Sequence, residues 1–255
     1  MEELKIRVIY DLAGRPPWWQ MAIDEAVLEH VSKGYSPLTL RFYIFSPSSV
    51  TIGLFQAVRH TVRIEEAKKR GVPVIRRFTG GGAVYHDEYG ELTYSITLPV
   101  SGAFRDVEKS YEILCGAIVR GLRRLGVSAE YKRPNDIVIG ERKVSGNAQA
   151  RRGKALLQHG TILYDSDLDA MEALLLVPRP KLEHHGARSI RDRVVNLSEA
   201  LGKSIDIQTI ADAITEGFKE TLRADIENGW YSREELKLAM RFTKKYLDPK
   251  WNYKR

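Results

Sequence analysis

Between residues 38 and 164 the chain breaks into short runs dense in β-branched and aromatic residues, at 38–45, 49–53, 74–76, 83–86, 92–98, 129–131, 137–139, 144–150 and 156–164. Turn formers separate them: Ser46-Pro47-Ser48, residues 87–90, Gly140-Glu141 and Arg152-Gly153. One long helical pattern, 107–125, interrupts the series and stops at Gly126. Parallel strands need a crossover of a dozen or more residues, usually a helix, whereas antiparallel neighbours need only a turn. Strands with so few helices between them, at no regular interval, therefore predict an α+β domain: a mostly antiparallel central sheet flanked by helices, not a doubly wound parallel fold.

The flanks supply the helices. A strand is predicted over 4–10 and an amphipathic helix over 19–31, announced by Pro16 and Pro17, with Met21, Ile23, Ala26, Val27, Leu28 and Val31 on its apolar side. Further helices are predicted over 64–69, 168–176, 207–222 and 233–246, with a proline-bearing linker at 177–180. The 255 residues read as one domain, with a core over 1–178 and a helical segment over 179–255. With 43% hydrophobic and 29% charged residues the composition excludes a disordered chain. The single cysteine cannot close an intramolecular disulfide, and with no secretory signal at the start an intracellular, cytoplasmic setting is expected. No run approaches the roughly 20 apolar residues of a membrane span. A net charge of +7 favours anionic partners. Nucleic acid is not expected among them, because the four tryptophans do not interleave with the basic residues as a stacking surface requires.

Two segments carry chemistry. In the run Arg76-Arg77-Phe78-Thr79-Gly80-Gly81-Gly82-Ala83-Val84-Tyr85-His86-Asp87, three glycines between two strands let a ligand approach main-chain N–H groups with no side chain in the way. The preceding arginines offer planar forks suited to carboxylate or phosphate. In the second segment, Asn135-Asp136 is followed by Lys143-Val144-Ser145-Gly146-Asn147-Ala148. Glycine weakens a strand, so Gly146 beside Lys143 suggests close approach of a ligand or another backbone. An inward Lys143 would meet a carboxylate and an α-phosphate together, while an outward one is an ordinary strand lysine. Asn135-Asp136 reads equally as oxygen ligands for Mg²⁺ or nucleotide hydroxyls and as a turn. His159, before Gly160 and Thr161, lies in an apolar strand, lining a site or filling the core. Neither a GxxxxGK phosphate loop nor a GxGxxG fingerprint occurs.

In order along the chain, Leu40-Arg41-Phe42-Tyr43, Ile52-Gly53 with Gln56, the glycine run with Gly90-Glu91-Leu92 and Ser95, Asn135-Asp136-Ile137, the Lys143–Ala148 segment and His159-Gly160-Thr161-Ile162-Leu163 resemble the lipoate-protein ligase family. Its catalytic domain is related to biotin ligases and class II aminoacyl-tRNA synthetases. The resemblance implies an enzyme that activates lipoate or octanoate with ATP and Mg²⁺ to an acyl-adenylate. It then passes the acyl group to a lysine of a lipoyl-domain carrier such as a 2-oxoacid dehydrogenase E2 or the glycine-cleavage H protein. It implies that Arg76 and Gly80, Gly81 and Gly82 embrace the adenylate and that Lys143 bridges carboxylate and phosphate. Val84, His86, Asn135, Asp136, Gly146, Ala148, His159 and Gly160 complete the binding set, Asp136 also as a metal ligand. The chain stops too soon for the C-terminal accessory domain of single-chain members and so resembles the large subunit of archaeal two-component ligases, whose missing domain is a separate small protein. The competing family member is an octanoyltransferase, which needs a cysteine nucleophile and no ATP. Cys115, inside the long helix, is badly placed for that role.

Overall fold

The computed structural model describes residues 4–176 and 189–254; the expected linker at 177–180 lies outside the described residues. The strands are β1 (Leu4–Arg15), β2 (Leu38–Phe45), β3 (Ser49–Ile52), β4 (Val74–Arg76), β5 (Val84–His86), β6 (Glu91–Pro99), β7 (Ala129–Lys132), β8 (Asp136–Ile139), β9 (Arg142–Arg152), β10 (Ala155–Leu163) and β11 (Ala224–Asn228). The helices are α1 (Pro17–Ser32), α2 (Ile64–Lys69), α3 (Val107–Arg124), α4 (Leu168–Leu174), α5 (Leu197–Leu201), α6 (Ile207–Leu222), α7 (Arg233–Leu247) and α8 (Pro249–Asn252).

An eight-stranded sheet runs β11-β1-β2-β6-β10-β9-β8-β7, and a three-stranded sheet runs β4-β3-β5. From β2 to β7 every pairing in the large sheet is antiparallel. At the other edge β1 pairs in parallel with both β2 and β11, so the sheet is mixed. The parallel edge exists because α1 carries the chain back over the sheet between β1 and β2. β11 escapes the sequence reading: Ala-Asp-Ile-Glu-Asn has weak strand propensity and takes its conformation from β1.

Alternation along the strands supplies one core per face. Leu40, Phe42, Tyr94, Ile96 and Leu156 join Leu114 and Ile118 of α3 and Ile214 and Phe218 of α6 in one cluster. Ile9, Tyr43, Phe45 and Leu157 join Met21 and Ile23 of α1 and Tyr246 of α7 in the other. Where α3 and α6 cross, a methyl group at Gly217 would lie 2.2 Å from the Ala117 carbonyl oxygen, so glycine there sets the helix spacing. The amphipathic expectation for α1 needs correction. Gln20, Asp24 and Glu25 are as buried as its apolar residues: Gln20 and Asp24 meet Arg41 of β2, and Glu25 meets Lys245 and Tyr246 of α7. β1 also outruns its expected end at residue 10, continuing through an irregularity between Asp11 and Arg15.

Candidate active site

Where the two sheets meet, a cavity is lined by Met21 of α1, Tyr43 and Phe45 of β2, the glycine loop before β5, Thr93 of β6, Lys143 and 146–148 of β9, and 159–161 of β10. A second cavity adjoins it, sharing Ala83, Val84, Lys143, Gly146 and Thr161, and is bounded further by Leu163, Met171, Leu175, Ile190, Arg193 and Val194. Lys143 thus stands at the junction of the two.

The glycine loop presents donors to this space. Arg77 Nη2 donates to the carbonyl oxygens of Gly80 at 2.6 Å and Gly82 at 2.7 Å. The carbonyl of Gly81 is turned against Gly53, where an added Cβ would sit 2.1 Å from it. Gly81 holds φ +91°, open in practice only to glycine. With all three carbonyls facing protein, the N–H groups of Gly80, Gly81 and Gly82 have no protein acceptor among the described residues. Such a concavity of free N–H groups favours an anion.

Arg77 is 4% exposed, and its hydrogen-bond partners are all uncharged: Thr79 Oγ1, Thr51 O and Oγ1, and the two glycine carbonyls. Burial pushes its guanidinium down to about 10, still charged at neutral pH. The cation suppresses its neighbours. Burial, then the Arg77 charge, hold His86 well below the usual imidazole range. His86 Nδ1 lies 2.9 Å from Glu91, whose carboxyl burial drives well above the carboxylate range, and His86 Nε2 lies 2.9 Å from Thr51 Oγ1. Burial also lowers His159, only partly offset by Asp24.

Lys143 Nζ lies 2.5 Å from Asp136 Oδ1 and about a third of its side chain is exposed. Gly146 makes its room: a methyl group there would come within 2.5 Å of Nζ and 2.6 Å of Cε. Asn147 braces the strand by accepting from the Tyr94 hydroxyl at 2.6 Å and donating to the Asn135 carbonyl at 2.9 Å, while Asn135 returns a hydrogen bond to the Asn147 carbonyl.

Of the residues anticipated from the sequence, Gly81, Gly82, Val84, His86, Asn135, Lys143, Gly146, Ala148, His159 and Gly160 all line the first cavity. Arg76 does not, and that expectation is corrected. Its fully buried guanidinium donates to the carbonyls of Gly53, Leu54, Gln56, Trp251 and Asn252, on the side away from the cavity. Successive residues of an extended chain point to opposite faces, so Arg77 faces the site. Gly80 touches the site only through the loop, and Asp136 only through Lys143. Asp136 offers a lone carboxylate already ion-paired, and no group of three or more His, Cys, Asp or Glu that could hold a metal occurs among the described residues. Thr51, Thr93 and Phe45 were not anticipated as lining residues. Arg77, Asn147 and Tyr43 stood inside the quoted motifs and Met21 on the apolar side of the first helix, but nothing local gave them a place in the site.

Residues 16–219 match the model of the lipoyl protein ligase A/B catalytic domain. An octanoyltransferase LipM from Kyrpidia tusciae is 34% identical, over 93% of this chain and 94% of its own. A lipoate-protein ligase A subunit 1 from Thermoplasma acidophilum is 37% identical, over 91% and 90%. Among solved structures, the bi-partite lipoate protein ligase of T. acidophilum superposes with a TM-score of 0.85 at 34% identity, covering 98% of this chain and 96% of that one. A lipoate-protein ligase A bound with ATP superposes with a TM-score of 0.85 at 33% identity, covering 97% and 98%.

Proposed function

The chain belongs to the lipoyl protein ligase A/B catalytic-domain family, and on that premise we propose that it is an ATP-dependent lipoate-protein ligase, taking lipoate or octanoate as the acid. The observation that carries this reading is the position of Lys143, between a cavity with an apolar end and a free-amide loop and a second cavity walled by aliphatic side chains and Arg193. In this reading the acyl chain lies against Met21, Tyr43 and Phe45, and the nucleotide base occupies the second cavity. The acid's carboxylate and the α-phosphate then meet at the lysine.

The chemistry follows from charge. The carboxylate oxygen of the acid attacks the α-phosphate of the substrate Mg·ATP, forming acyl-AMP and releasing pyrophosphate. The lysine amine of the carrier protein then attacks the acyl carbon, AMP leaves with the bonding pair, and the amide nitrogen loses its proton. Both steps develop negative charge on oxygen where Lys143 and the Gly80–Gly82 amides supply fixed donors, so no protein nucleophile is required.

The octanoyltransferases among the relatives make a second reading, transfer of octanoate from acyl carrier protein without ATP. That reaction needs a cysteine thiolate. Cys115 is the chain's one cysteine, on the fully buried face of α3, and burial pushes its thiol up to about 12. The ligase reading is therefore preferred. The T. acidophilum structure comprises a bi-partite ligase and its E2 lipoyl domain. By analogy we assign to this chain a separate small subunit and lipoyl-domain acceptors, E2 domains and the glycine-cleavage H protein.

The deciding experiment is lipoate-dependent ATP–pyrophosphate exchange, with and without such a subunit. Lys143→Ala should lose about 10²–10³-fold, the usual result of removing one oxyanion donor, with little change in melting temperature. Undiminished exchange removes Lys143 from the mechanism, and octanoyl transfer from acyl carrier protein without ATP establishes the second reading instead.

A further inference from the structure

Asp24 projects from α1 into the fully buried end of the site, and each of its oxygens accepts two hydrogen bonds. Oδ1 receives Arg41 Nη1 at 2.7 Å and the Ser95 hydroxyl at 2.8 Å. Oδ2 receives the Tyr43 hydroxyl at 2.8 Å and faces His159 Nδ1 at 3.1 Å. The pairing with Arg41 makes this carboxylate an acceptor only. His159 must therefore carry its proton on Nδ1, leaving Nε2 as an acceptor.

That assignment sets the direction of the next bonds. His159 Nε2 is 2.8 Å from Thr79 Oγ1, so the threonine hydroxyl donates to it. The lone pairs of Thr79 Oγ1 are then left for Arg77 Nε at 3.0 Å. Arg77 in turn grips the carbonyls of Gly80 and Gly82 through Nη2. A single ordered chain of hydrogen bonds runs from α1 to the glycine loop.

We propose that Asp24 is a positioning residue for the site: through His159 and Thr79 it orients Arg77, and through Arg77 it keeps the glycine-loop carbonyls inward and the amides facing the ligand. This rests on the adenylating function proposed above. Nothing in the linear pattern of α1 announces it, since Asp24 and His159 stand 135 residues apart. Around metal sites, losing the hydrogen-bond partner behind a ligating residue costs about 10- to 100-fold in activity, and a loss on that scale is expected here.

Two measurements test it. The first is long-range ¹H–¹⁵N correlation on protein labelled with ¹⁵N-histidine, which reads the His159 tautomer without any assay of activity. Wild type should show the proton on Nδ1. In Asp24→Asn, Arg41 retains the amide oxygen, the NH₂ turns to His159, and the proton should move to Nε2. A wild-type proton on Nε2 overturns the proposal, whatever the enzyme does. The second is pyrophosphate exchange in Thr79→Val and Thr79→Ser. Valine breaks the chain at constant volume and should lower kcat about 10- to 100-fold while the KM for the acid stays put; serine keeps the hydroxyl and should restore the rate. A Thr79→Val enzyme as fast as wild type overturns the proposal. If wild type shows no exchange, the adenylating function fails, and the tautomer still decides whether the hydrogen-bond chain exists.

Discussion

A methyl group at position 146 would collide with the far end of a flexible lysine rather than with backbone. Gly146→Ala should therefore fold as wild type does and displace the Lys143 ammonium instead. A displacement on the scale of an ångström can cost about 10²-fold in rate. The expected outcome is exchange activity reduced about 10- to 100-fold with a melting temperature within a few degrees of wild type, checked on one preparation by both assays; full activity would show that the lysine needs no vacant space. Gly53 differs, because its added Cβ would meet the Gly81 carbonyl, and backbone cannot swing aside. At this scale the sequence was legible wherever the motif is contiguous: Gly81 and Gly82 of the triple glycine, Lys143 and His159 all reach the cavity. It failed for Arg76 and Arg77, because two adjacent arginines look alike until it is known which face of the strand meets ligand and which meets protein.

At the scale of elements, α1 shows how tertiary packing overrides a helical pattern. Its apolar residues were readable at 3.6-residue spacing, but Glu25 on the other side is 3% exposed. It accepts from Arg152 at 2.8 Å, Lys245 at 2.8 Å and the Tyr246 hydroxyl at 2.5 Å, tying α1 to β9 and α7. Burial raises this carboxyl, but Lys245, Tyr246 and Arg152 outweigh it and hold its pKa below the ordinary 4.5. A folded pKa below the unfolded one means stability that is fully present above about pH 4.5 and lost as pH falls. Glu25→Gln should thus lower stability by about 1–3 kcal/mol at pH 7, the cost of weakening hydrogen bonds to charged partners. The gap to wild type should close in thermal melts as the pH falls below about 4.5, and a gap constant with pH would exclude the ionised carboxylate as its source. The extension of β1 to Arg15 and the whole of β11 were illegible for a related reason: their strand conformation is imposed by neighbours, not by local propensity.

Over the whole molecule, the end of the described chain is tied to the strand that leads into the glycine loop. The Asn252 side chain accepts from Arg76 N at 2.9 Å and donates to the Tyr246 carbonyl at 2.9 Å, while Trp251 Nε1 donates to the Arg76 carbonyl at 2.8 Å. Asn252→Ala removes both of the side chain's buried hydrogen bonds, so a loss of about 1–3 kcal/mol is expected. It should register as a lower melting temperature and as faster hydrogen exchange at the Arg76 amide, and unchanged exchange there would separate α8 from the loop. No helix among the described residues is long and apolar enough to cross a membrane.

Local information, read one residue after the next, determined the succession of strands and helices, the α+β class, the donor-rich glycine loop and the lysine that follows it, because periodicity and backbone freedom are properties of neighbouring residues. Only the tertiary structure decided which arginine faces the cavity, that Asp24 is buried against Arg41 and Glu25 between Arg152 and Lys245, and that Met21, Tyr43 and Phe45 close the apolar end. Those outcomes depend on which faces meet across the two sheets, and burial and charge pairing between residues far apart in the chain leave no mark on the order of the residues around them.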